Sequence, residues 1–194
     1  MIHPKTELKF ISDQIGYGVV ATEFIPAGTI TWALDDLDRE FTSAKLKKMN
    51  PLYQQILETY CYRNNKGNFV LCWDYGRYVN HSFKSNCLST AYDFEIAIRD
   101  IQPGEELTDD YGYLNVSEPF KGIDEGTRRK TVYPDDLLNH HQTWDKQLLK
   151  NFPKIPKVEQ PLKSLLTPKL WNTITAIVEG KKEMDSILKN HFPG

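Results

Sequence analysis

The sequence predicts a mainly β domain, α+β overall, that carries a helical insert and a helical C-terminal extension. Three observations predict it. From Leu8 to Trp32, and again from Leu88 to the segment ELTDDYGYL, short runs of Val, Ile, Thr and aromatic residues alternate with Gly and Pro turns, the pattern of short strands. Helix-start residues, Thr42 and Pro51, interrupt the two β regions. After Val116 the apolar residues recur at helical spacing. Residues 1–116 therefore read as the main domain, with its insert at about 42–60, and residues 117–194 as a polar connector and helical extension.

Taken in order, LKFIS, VVATEFI and TITWAL read as strands, separated by GYG and PAG. Thr42 caps SAKLKKMN, and Pro51 opens LYQQILETY, whose Leu52, Ile56 and Tyr60 share one helical face. NNKGN, residues 64–68, turns the chain into FVLCW. In AYDFEIAIRD, Phe94, Ile96 and Ile98 have the period of two expected of a half-buried strand, and QPGEE is the turn after it. Pro134, Asp135 and Asp136 begin a helix with Leu137, His141, Trp144 and Leu148 along one stripe. Thr167 and Pro168 supply an N-cap and a first helical position for another, which ends near Gly180. No internal repeat or low-complexity tract is present.

Composition excludes several function classes. With 194 residues, 40% hydrophobic and 26% charged, the chain can bury one core. Its mean hydropathy is -0.53, and no apolar run approaches the ~18 residues of a membrane span, so no membrane partner is expected. MIHPKTELKF lacks the basic and apolar regions of a secretory signal. Cys61, Cys72 and Cys87 form neither a disulfide framework nor a C-x-x-C pair, which predicts a reducing intracellular setting, cytoplasmic or, in a eukaryote, nuclear. A net charge of -2 argues against direct nucleic-acid binding. Up to Val116 there are 11 basic and 16 acidic side chains; beyond it, 13 and 10. The acidic body suits a cationic substrate, although solvated charge with no target has the same signature.

Three segments remain: Gly16-Tyr17-Gly18; RYVNHSFKSNC, which holds Asn80, His81 and Asn86; and Glu106 to Tyr113, ELTDDYGY. A lone G-x-G serves as a hairpin turn or as a close approach to a ligand, and no βαβ unit follows it to make a dinucleotide site. Asn80 and His81 suit either a polar ligand or the pinning of crossing chains, since buried amides and imidazoles need partners.

Together, in this order, the three segments resemble the SET-domain protein lysine methyltransferases. That family's pattern is a G-x-G turn, an aromatic-x-N-H-S run with a downstream Asn-Cys, and an E-L-T-x-D-Y ending; here they are GYG, YVNHS with Asn86-Cys87, and ELTDDY. IPAG and IQPGEE fit as connecting turns, and the likeness covers roughly residues 8–116. It implies a SET-type β-clip with a knot-like core, S-adenosylmethionine as cofactor and methyl transfer to a lysine, on a protein substrate that presents it. Gly16, Tyr17, Gly18, Asn80 and His81 are then the cofactor residues, with Asn80 at the amino-acid end and His81 near the adenine. Tyr111 is the catalytic residue that positions the amine. Tyr113 walls the lysine channel or sits in the core as an ordinary aromatic. Asp109 stands where the family often has Phe or Tyr, two residues before Tyr111, and faces the channel or turns aside to an ion pair. The family's zinc cluster is not expected, because no cysteine follows Cys87. Phe83 and Ser85 replace the family's common Cys and Pro, neither of which does chemistry. The alternative is a non-catalytic module that keeps the fold and binds a cofactor or a protein.

Overall fold

A computed structural model describes residues 1–194. Strand β1 (Thr6–Ser12) turns through Gly16, at φ +83°, into β2 (Gly16–Ala21). GYG is therefore the start of a strand and only its first glycine belongs to the turn. Then follow β3 (Ile30–Ala33), β4 (Arg39–Phe41), α1 (Ser43–Leu46), α2 (Pro51–Tyr60), β5 (Cys61–Arg63) and β6 (Phe69–Leu71). Next come β7 (Asn80–His81), β8 (Cys87–Ser89), β9 (Phe94–Ala97) and β10 (Glu106–Asp109), then a short hairpin of β11 (Phe120–Lys121) and β12 (Thr131–Val132). Helices α3 (Asp136–Asn151) and α4 (Pro168–Val178) complete the chain.

The strands form three small sheets besides that hairpin: β1-β2-β10-β7, β3-β9-β8 and β4-β6-β5. All pairings are antiparallel except β7 with β10, where Asn80 lies opposite Thr108 and His81 opposite Asp109. This mixture of short sheets and helices is the α+β, SET-type arrangement expected.

Local signals explain the helices. Thr42 Oγ1 accepts the Lys45 N–H, Asn50 Oδ1 accepts that of Leu52 and Thr167 Oγ1 that of Leu170, so α1, α2 and α4 have side-chain caps, while Asp135 before α3 makes no such bond. The face of α2 differs from the expected one: Leu57 is buried against Phe41 and Leu46, while Leu52 and Ile56 are exposed. Strand β9 also differs, since Phe94, Glu95, Ile96 and Ala97 are all buried. Period two predicts one wet face, but the extension covers one side and the other lines an internal cavity.

The extension packs directly on the β body. Leu137, Trp144, Leu148, Phe152, Ile155, Leu162, Ile174 and Ile187 share one buried cluster with Ile30, Ala33, Leu88, Phe94, Ile96 and Tyr113. His141, placed on the stripe from sequence, is only half-buried and bonds the Leu138 carbonyl. Gln160 ties the extension to the IPAG turn: its Nε2 donates to Gly28 O at 2.9 Å and its Oε1 accepts from Ile30 N at 2.8 Å. Gly28 has φ +93°, and a Cβ there would sit 2.5 Å from Lys154 Cβ, so both conformation and space demand glycine.

Candidate active site

Hydrogen bonds lace β7 and the segment after it to β10. Asn86 spans the junction, donating from Nδ2 to Glu106 O at 2.8 Å and accepting the Thr108 N–H at 2.9 Å. Ser82 N–H donates to Asp109 O at 2.9 Å. Asn80 Nδ2 donates to Tyr17 O at 2.9 Å and to Glu106 Oε1 at 2.7 Å, which draws Gly16-Tyr17-Gly18 into the same junction. At Gly18 a Cβ would lie 2.2 Å from Glu106 Oε1 and 2.9 Å from Asn80 Nδ2, so the approach depends on the missing side chain. The Asn80 amide thus pins chains, one of the two roles its sequence context allows.

His81 is engaged through one of its two nitrogens. Nδ1 accepts the Tyr111 N–H at 3.2 Å, which places the ring proton on Nε2. Burial lowers the imidazole pKa and keeps it neutral. Nε2 is buried with no partner, and the rings of Phe83 and Phe120 stand nearly perpendicular to the imidazole ring, with centroids 4.4 and 5.4 Å from its own. Gly122 lies against that nitrogen, where a Cβ would come within 3.0 Å of it.

Tyr111 begins a single 3-10 turn, Tyr111–Tyr113, so the extended geometry expected for it gives way to a helical one. Its hydroxyl donates to Val79 O at 2.6 Å. Burial, then the nearby charge of Asp109, pushes the phenol pKa up, and the hydroxyl stays neutral. Asp110 caps the turn, its Oδ1 accepting Gly112 N–H at 3.0 Å while its other oxygen pairs with Arg129.

Tyr111 opens onto a cavity of 350 Å³, shared with Trp32, Tyr60, Tyr62, Asp109 and Tyr113. Asp109 and Tyr113 both line it. Tyr113 is buried at 1% exposure, packs edge-on to Trp144 and donates its hydroxyl to Asp109 Oδ1 at 2.8 Å, so it is core and wall at once. Asp109 makes no ion pair with Lys or Arg. The C-terminal segment closes one side: Asn115 Nδ2 donates to Arg63 O at 3.0 Å and Asn190 O at 2.8 Å, and Asn190 Nδ2 donates to Thr90 O at 2.9 Å.

Several participants escape sequence reasoning. Glu106 was visible only as a motif letter, although it holds Asn80. Glu95, on β9, lines the cavity beside Asp109, yet alternation assigns it to solvent. Its one signal is a charge inside the otherwise apolar run FEIAI. Arg129 and Asn190 lie too far along the chain for any local pattern to join them to Tyr111.

The SET domain family model matches residues 16–112, half of the chain, and the chain belongs to that family. The matched residues span the G-x-G, Asn80-His81 and Tyr111, which the fold brings to one junction. Among solved structures, a candidate histone methyltransferase from Plasmodium falciparum is similar at 19% identity, over 65% of this chain and 100% of that one, with a TM-score of 0.42. No curated protein matches the chain.

Proposed function

We propose that the protein transfers a methyl group from S-adenosylmethionine to a lysine side chain, on a protein substrate. The observation that carries this reading is the neutral Tyr111 hydroxyl, anchored on Val79 O at the junction of the family's three segments and at the wall of an aromatic cavity. Gly16, Tyr17, Gly18, Asn80 and His81 would hold the cofactor on the family's pattern, and since none of the five lines the aromatic cavity, it would lie outside that cavity. When bound, the cofactor supplies a methyl group already activated by its sulfonium. The protein's own task is alignment and drying: the aromatic walls accept the aliphatic stem of a lysine and exclude water, and the Tyr111 hydroxyl stands ready to orient the amine. A reducing intracellular setting accords with three free thiols, two of them buried.

Incubation with labelled S-adenosylmethionine and a lysate tests the reading. Label is expected on protein lysines, and Tyr111→Phe should lower the rate by about 100-fold, the scale for losing one oriented hydrogen-bonding group. Absence of both transfer and cofactor binding in the folded wild type would remove it. Cofactor binding without transfer would select the non-catalytic module.

A further inference from the structure

Glu95 and Asp109 both line the cavity and are under 10% exposed, and burial, then the charge of Asp109, raises the Glu95 pKa. Ser89 Oγ donates to Glu95 Oε1 at 2.8 Å and Tyr113 to Asp109, so both acids are held in place by hydroxyl donors. Two buried acids without a basic partner are costly, because Coulomb attraction does not offset their desolvation. Neither arginine at this cavity pairs with an acid, although the Arg63 Nε is a buried donor without a partner. Arg77 donates to the carbonyls of Cys72, Trp73 and Asp74, and Arg63 lies over the rings of Phe69 and Phe192.

A second observation points to a guest. Trp32 pairs with Glu95 across β3 and β9 and lines the same cavity; it is 8% exposed, and its indole Nε1–H is a buried donor with no partner. The cavity therefore presents fixed negative charge, an unused donor and aromatic walls. A long alkylammonium that carries a carbonyl at its other end, as a lysine residue does, answers all three.

We propose that the Glu95–Asp109 pair is the receptor for the substrate's ammonium group, which makes these two acids the residues that select lysine. This rests on the methyl-transfer reading for the identity of the substrate, but the receptor is measurable without turnover. Glu95 retains its proton because burial raises its pKa far above the carboxylate range, while Asp109, raised to about 6, supplies one negative charge at neutral pH. That is the complement of one ammonium. Glu58, Asp93 and Glu118 also line the cavity, and the tyrosine hydroxyls of Tyr111 and Tyr113 stay neutral throughout.

The test is an NMR titration of the full chain with N-acetyl-lysine-methylamide and with its norleucine counterpart, which lacks only the ammonium. The lysine probe should bind at least tenfold tighter. Asp109→Asn should reduce that preference to near unity, with the thermal midpoint checked to establish folding. Should that variant not fold, the wild type decides alone: its preference should fall about tenfold between pH 7.5 and 5, while norleucine binding stays constant. No preference in the wild type, or a preference that survives both Asp109→Asn and acid, overturns the receptor. A wild type that prefers the lysine probe but binds no S-adenosylmethionine would instead count against methyl transfer and leave the receptor standing.

Discussion

Arg129 lies between Asp110 and Asp136, one nitrogen on each, and so links the residue before Tyr111 to the first turn of α3. Both carboxylates are nearly buried, at 5% and 4% side-chain exposure. Each acid takes one terminal nitrogen of the guanidinium fork, a geometry that a lysine's single point of charge cannot reproduce. Removing the cation leaves two buried anions facing each other, and the cost of such a loss is about 3 kcal/mol or more. Arg129→Leu should therefore lower stability in urea by that amount and disturb the Asp110 cap of the Tyr111 turn, and Arg129→Lys should restore only part of it. A change below about 1 kcal/mol in Arg129→Leu would show that the link contributes little, as exposed pairs do.

At the scale of elements, the helical insert behaves as a satellite with its own small core. Leu57 of α2 meets Phe41 and Leu46, and Met49, Cys61, Phe69 and Leu71 pack around them. Leu52, Tyr53 and Ile56 face solvent at 69, 58 and 50% exposure. The contrast makes a direct test. Leu57→Ala should cost about 2 to 4 kcal/mol, since it deletes buried methyls and leaves a cavity, whereas Ile56→Ala should stay within about 0.5 kcal/mol. Chemical denaturation of both variants checks this, and equal costs would mean that α2 presents a different face in solution.

Across the whole molecule, acid stability draws on groups buried in their neutral form. His3 is 2% exposed, and burial, then the charge of Lys5, lowers its pKa from 6.5 to about 4. Between those values the unfolded chain binds a proton that the folded chain refuses, so this contribution is present above pH 6.5 and lost as pH falls toward 4. Asp109 has the opposite sign: its raised pKa favours the folded state in acid and that advantage disappears as pH rises through about 6. Thermal midpoints should accordingly fall less between pH 7 and 4.5 in His3→Asn than in the wild type. An identical fall in both proteins would show that His3 takes up its proton in the native state.

The sequence by itself determined the local parts: the caps at Thr42 and Thr167, the helix start at Pro51, the turns at Gly16 and Gly104, the strand-like runs, and the three motifs whose order marks the SET family. These are legible because caps, turns and alternation depend on residues within a few positions of each other. The tertiary structure alone decided which side of α2 is buried, why Glu95 is dry, that Asn80 is held by Glu106, and that the segment around Asn190 closes the cavity beside Tyr111. Each of these joins positions far apart in the chain, and burial at such a place depends on which distant segment arrives to cover it, information that no local period contains.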